Sequence, residues 1–273
     1  MNMRITHINP YPPLNGYVSK IWVFESSGRI PAEDMRLIVP NGMVKLTIPF
    51  RNGVSGKNET MYHLSKESRL TLIGIGDIPA IIDVEQDKPS GTIGIEFSAA
   101  GAYRFFQLKQ SEIKNRIFLL DEVLDHTARQ VQEMIANHGS VAKKLHVIQQ
   151  YLIGRLRRSA ADPLIDYCVM LIKNTRGQIT VRQLEQKTGY SGRWLNDKFQ
   201  HKVGISPKSL CSIVRFQQFY EPWARSGCHF NDNLYHYFYD QAHFIKEFKR
   251  FTGLSPLKYT KSENEFGRIF YKD

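Results

Sequence analysis

The chain has 273 residues, 42% of them hydrophobic and 23% charged, with a formal net charge of +11; that length accommodates two domains of ordinary size. The charge is uneven: residues 1–135 hold 15 Lys+Arg against 15 Asp+Glu, whereas residues 136–273 hold 22 against 11 and carry the whole excess. Three cysteines (Cys168, Cys211, Cys228), odd in number and without a Cys-x-x-Cys pair, argue against a disulfide framework and a zinc finger, and no apolar run reaches the roughly 18–20 residues of a membrane span.

Pro10, Pro12 and Pro13 interrupt any signal-peptide core, so a soluble cytoplasmic chain is expected. Residues 1–98 read mostly as strands. The segments 17–24, 43–48, 70–75 and 92–97 are rich in β-branched and aromatic residues or alternate apolar with polar. Turn signals separate them at Pro40–Gly42, Arg51–Gly53 and Lys88–Gly91. This pattern predicts an antiparallel sandwich or small barrel. Gly74, Gly76 and Gly94 mark bulges or tight bends within it. Trp22, Phe24, Phe50 and Tyr62 stand at strand spacing and are expected mainly as core, with a pocket lining as the alternative.

From about residue 99 the period changes. A short helix is expected over 99–108, then an apolar stripe at Leu120, Val123, Leu124, Val131, Met134 and Ile135. A second stripe follows at Val141, Leu145, Ile148, Leu152 and Leu156. Such stripes serve domain packing or, alternatively, a dimer seam. Asp162 and Pro163 open the next helix, which stops near Asn174–Gly177. The domains are expected as a β-rich part over 1–120, linking helices over 121–160 and a helical part over 161–273.

The helical part contains one pattern twice. Phe199, Gly204 and Pro207 are spaced by five and three, as are Phe248, Gly253 and Pro256, at an offset of 49 residues. Each copy reads as an amphipathic helix, a Gly stop and a Ser-Pro start of the next helix. In the first, Thr180 caps a helix, Gly189 makes a tight turn and Ser191 caps a second helix with apolar Trp194, Leu195 and Phe199. That is a helix-turn-helix, whose second helix lies in a major groove. Arg193, Asn196 and Gln200 are expected to face outward, Arg suiting guanine and Asn adenine. Lys198, His201 and Lys202 are expected near phosphates. In the second copy Asp240 caps a helix whose Phe244, Phe248 and Phe251 form the apolar face. Gln241, His243 and Lys246 point outward there, with Lys249 and Arg250 for the backbone. A long helix from about 207 to 225 holds the two units rigidly.

Gly189 through Leu195, Phe199 through Pro207, Arg215-Phe216, and Tyr239 through Phe244 with Ser255-Pro256 resemble the AraC/XylS family of bacterial transcription regulators. The resemblance covers about 163–265. It implies a DNA-binding domain with two helix-turn-helix units entering adjacent major-groove segments. It also implies base-facing positions at Arg193 and Asn196 in the first unit, and at Gln241, Ala242, His243 and Lys246 in the second. Weaker punctuation at Leu14–Trp22, Val39–Met43 and Thr92–Phe97 resembles the sensor-like regions that accompany such domains, often cupin-like barrels. The expected fold class is therefore a two-domain α+β chain: an antiparallel β barrel or sandwich (cupin-like) with linking helices, then an all-α domain with two helix-turn-helix units. The expected partners are double-stranded DNA, a small-molecule effector, a second copy of the chain and RNA polymerase, with no membrane.

Three positions depart from the family pattern. Asp197 stands where a basic residue is common. Tyr237 occupies a turn position usually given to Gly, where positive φ strains other residues. Asn231–Tyr237 is polar, so a ragged helix and a less specific second unit are expected.

No enzyme, metal or cofactor is expected. His7 and His63 are too far apart in sequence for a cupin metal site, and Asp77 and Asp83 read as loop carboxylates rather than an acid–base pair. The competing functions are an architectural protein that binds DNA by charge alone and, less favoured, a cupin-type enzyme fused to a DNA-binding domain.

Overall fold

A computed structural model describes residues 3–28, 30–31, 33–59, 61–84, 88–124, 126–227 and 237–271, with backbone alone for the strand residues 54, 61, 63–65 and 84. The first half holds the strands β1 (Met3–Ile8), β2 (Val18–Ser26), β3 (Leu37–Ile38), β4 (Lys45–Arg51), β5 (Val54–Asn58), β6 (Met61–Ser65), β7 (Thr71–Ile73), β8 (Ala80–Val84) and β9 (Ser90–Phe97). Then come α1 (Gly101–Phe106), β10 (Ile117–Leu119), α2 (Leu120–Val123), α3 (His126–Ala136) and α4 (Val141–Arg157). The second half is α5 (Pro163–Asn174), α6 (Val181–Thr188), α7 (Gly192–Lys202), α8 (Pro207–Arg225), α9 (Gln241–Thr252), α10 (Pro256–Thr260) and α11 (Glu265–Ile269).

The strands form two antiparallel sheets, in the orders β1-β2-β9-β4-β7-β10 and β3-β8-β5-β6. Among the described residues they do not close into a barrel, so the sandwich is the correct alternative. Strand alternation splits the large sheet chemically. Ile21, Val23, Leu46, Ile48, Leu72, Ile93 and Ile95 are all buried and make one face aliphatic. Phe97 continues that face and meets Phe105 and Phe106 of α1 at ring-centroid distances of 5.0 and 5.2 Å. The other face turns to the small sheet and is mixed: Lys20, Trp22, Phe24, Lys45, Thr47, Thr71, Thr92 and Glu96. Gly94 lies flat on this face because a Cβ there would stand 2.1 Å from the Trp22 ring, so the expected tight bend is a close approach instead.

The linking helices serve domain packing. Val131, Ile135, Leu145, Ile148 and Leu152 are buried in the core. α4 is tied to the β half where Gln149 Oε1 accepts from the Tyr11 N–H (2.8 Å) and Arg155 donates to the Phe105 carbonyl (2.8 Å). The first stripe is broken into α2 and α3, and Met134 is 51% exposed rather than on the apolar face. Tyr62 is 67% exposed, so it belongs to neither core nor pocket, and the predicted 99–108 helix is shorter at both ends.

In the helical half the predicted caps form. Asp162 accepts from Ile165 N–H, Thr180 builds a capping box with Gln183, and Ser191, Ser206 and Asp240 accept from Trp194, Ser209 and His243. α8 spans the predicted range and is the aromatic spine. Its Phe216, Phe219 and Trp223 meet Phe251, Phe244 and Phe248 of α9 at 4.8, 5.0 and 5.5 Å. Burial pushes the Cys168 and Cys211 thiols up to about 11, so both stay protonated core residues; Cys228 lies outside the described residues.

One hydrophobic core runs without a break from Leu14 in the β half to Tyr259 in the helical half. At the junction Arg104 donates to the Tyr17 hydroxyl and to Ser159, and Gln217 donates to the Pro40 carbonyl (2.6 Å). Gly204 has φ +93° and approaches the Gln110 backbone so closely that a Cβ would stand 2.8 Å from its carbonyl oxygen. The segment after α10 returns to the sandwich. Asn264 exchanges hydrogen bonds with the Leu37 backbone, and Asp34 Oδ2 accepts from Phe266 N–H. Phe266 and Phe270 pack with Trp22, Phe24 and Ile30 in a second, smaller core.

Candidate nucleic-acid interface

The first unit is α6, a turn and α7. Gly189, at φ +76°, ends α6 in the left-handed region that favours glycine. Glu185 on α6 accepts from Gly192 N–H (2.5 Å), which fixes the angle between the helices. Leu195 and Phe199 are fully buried, which turns the opposite side of α7 to solvent. Arg193 is exposed on the first turn, and Asn196, Lys198 and Gln200 are half-buried along the helix. Trp194, expected with the apolar residues, is instead only half-buried. It stacks on Tyr190 (4.1 Å between centroids, 18° between planes), and the Lys198 ammonium lies 5.2 Å from its ring. No apolar periodicity announces this aromatic plate at the head of α7; its sequence signal is the Tyr-Ser-Gly-Arg-Trp run on a polar turn.

The far end of α7 is engaged by the β half. His201 Nε2 is 3.3 Å from the Tyr103 hydroxyl. Lys202 forms an ion pair with Asp162 and lies 5.1 Å from the Tyr103 ring. A phosphate contact by Lys202, the expected role, therefore requires this pair to open. Burial pushes the Asp162 carboxyl up, but the Lys202 bond and charge and the Ile165 N–H outweigh it and hold the group below the ordinary carboxylate value.

In the second unit, Phe244, Phe248 and Phe251 are buried, so α9 presents Gln241, Ala242, Lys246 and Lys249 to solvent. His243 is half-buried: its ring packs edge-on against Phe238 at 5.8 Å, and its Nδ1 accepts from Tyr239 N–H. Arg250 is shared between Glu247 (3.5 Å) and Asp77 of the β half (3.8 Å), so its expected backbone role competes with two carboxylates. Burial raises the Asp77 pKa, but Lys114, Asn115 and Arg250 together hold it below the ordinary value. Asp83 is paired with Arg36, so the two aspartates are separate ion pairs. The helix expected before this unit, and most of the polar stretch 231–237, lie outside the described residues; Tyr237 packs against the shared core. The His63 side chain also lies outside them. Among the described residues no group of three or more His, Cys, Asp or Glu is placed to hold a metal, and no helix is long and apolar enough to cross a membrane.

Residues 6–118 match the model of DUF6597, a domain of unknown function. No curated protein matches the chain in sequence. Among solved structures, ToxT from Vibrio cholerae aligns at 12% identity over 90% of this chain and 98% of its own, with a TM-score of 0.48. Unsaturated fatty acid-bound ToxT from strain SCE256 aligns at 12% over 90% and 95%, also at 0.48. The Cupin_2 domain of an XRE family transcriptional regulator from Enterobacter cloacae aligns at 9% over 35% of this chain and 96% of its own, at 0.28.

Proposed function

We propose that the chain is a sequence-specific DNA-binding transcription regulator of the AraC/XylS type, whose β half receives a small-molecule signal. The observation that carries this reading is the pair α7 and α9. Each is capped at its exposed end, buries two or three large apolar side chains, and turns polar and basic side chains outward. Both belong to the half that carries the net positive charge. Both pack on α8, α9 through its aromatic rings, so a shared helix rather than a linker sets their relative orientation. Arg193 and Asn196 supply the two-point hydrogen-bonding chemistry that reads guanine and adenine. Gln241, Ala242, His243 and Lys246 supply the base-facing positions in the neighbouring groove segment. Lys249 adds charge neutralisation.

Footprinting on genomic fragments tests the proposal. Protection of two neighbouring major-groove segments on one face of the duplex is the expected result. Uniform protection without sequence preference would replace the regulator by an architectural protein.

A further inference from the structure

The internal repeat gives α7 and α9 a common register. At the offset of 49 residues the cap Ser191 falls on Asp240, and each accepts from the N–H three positions on, that of Trp194 or His243. Buried Leu195 and Phe199 fall on buried Phe244 and Phe248, and Gly204 falls on Gly253. Helices that match in cap, core and stop also match on the outer face. There Arg193 falls on Ala242, and Asn196 falls on Ile245. The two positions that carry two-point hydrogen-bonding chemistry in α7 are therefore hydrocarbon in α9. Ala242 and Ile245 are three residues apart and adjoin on the helix surface. Ala242 is exposed and Ile245 is 40% exposed, although its neighbour Phe244 is buried. Lys246 and Lys249, each four residues beyond one member of the pair, are exposed as well.

We infer that α9 reads thymine, with Ala242 and Ile245 packed on C5-methyl groups in the major groove, which makes Ile245 a specificity-determining residue of the second unit. The inference rests on the proposed function and names the chemistry of half its target. A polyanion drawn to Lys246 and Lys249 meets the hydrocarbon that lies beside them, and that hydrocarbon has no donor or acceptor to offer a base edge. The apolar feature that base pairs present in the major groove is the thymine methyl. Scattered apolar side chains on a surface need no partner. This pair is not scattered, because it occupies the positions proposed for base reading in α7. The repeat thus divides the work: hydrogen-bonded reading in α7, apolar reading with lysines alongside in α9.

Selection of duplexes from a random-sequence pool by the full chain supplies the probe. Each thymine of the selected site is then replaced in turn by deoxyuridine, which deletes the methyl and keeps every hydrogen-bonding group. Replacing a thymine under α9 should weaken binding about fourfold, the worth of one buried carbon. Ile245→Ala should bring the ratio of thymine to uracil affinity close to unity at one position, with an unchanged circular dichroism spectrum. Ile245→Val, which keeps a branched hydrocarbon, should retain the ratio. A site without a uracil-sensitive thymine would overturn the assignment, as would a ratio that is the same in Ile245→Ala and in the unaltered chain. If Ile245→Ala leaves DNA binding untouched and turns a dimer into a monomer in sedimentation, the face belongs to a second copy and the inference falls. Failure to select any sequence removes the proposed function and this inference together; a selected site indifferent to uracil removes the inference alone.

Discussion

Arg193 stands on the first turn of α7, exposed and without an ion-pair partner among the described residues. Replacing it by Ala should cost about 1–3 kcal/mol on the preferred site and relax discrimination at one base pair. Fluorescence anisotropy against a panel of single-substitution sites measures this, and an unchanged preference removes Arg193 from base reading. Lys249 is exposed on α9, so Lys249→Ala should weaken every sequence alike and reduce the salt slope by about one phosphate. Loss confined to one site would contradict the phosphate role. These residues are legible in sequence because the buried Leu195, Phe199, Phe244 and Phe248 set each helix face locally. The status of Lys202 and Arg250 is not legible. Lys202 pairs with Asp162, 40 positions away, and Arg250 pairs with Asp77, 173 positions away, besides its neighbour Glu247. Only the Glu247 pair is local; nothing near a basic helix end announces the distant two.

At the scale of elements, end chemistry decides the units. Asp240 accepts from His243 N–H at 2.7 Å on an exposed cap. Asp240→Ala should cost about 1 kcal/mol and fray the turn carrying Gln241 and Ala242. A thermal melt with a matched decrease in DNA affinity is the expected outcome; an unchanged melt would show that α9 is held by its aromatic face alone. Caps, glycine stops and the long α8 were readable because each depends on neighbours within a few residues. The small sheet was not. β5 reads Val-Ser-Gly-Lys-Asn, with neither alternation nor aromatic content, and gains its place only by pairing with β6 and β8. α11 lies in the region read as helical but carries no signal of its own: five residues give no helical period, and docking on β1 and β3 makes the helix. The row of Lys20, Glu96 and Lys45 across β2, β9 and β4 likewise appears only when these distant strands come into register.

Across the whole molecule the halves share one core and exchange ion pairs. Asp77 joins Lys114 of the β half to Arg250 of α9. Its folded pKa lies below the ordinary 3.8. Its stabilisation is therefore complete above the unfolded value and is lost as pH falls through the lower, folded one. Asp77→Asn should cost about 1–3 kcal/mol at neutral pH, and the gap to the unaltered protein should close as the pH drops below about 4. Denaturant melts from pH 7 to pH 2 follow this, and a gap that stays constant would show that the carboxylate charge contributes nothing.

The hydrogen bonds of Leu37 to Asn264 span 227 positions and that of Asp34 to Phe266 spans 232. A ribosome adding about 5–20 residues per second needs roughly 10–50 seconds to connect them. During that interval the nascent sandwich has emerged with its Trp22 and Phe24 side uncovered. Chaperone occupancy on stalled chains ending before residue 264 is where that delay becomes visible, and release should follow once Phe270 has cleared the exit tunnel.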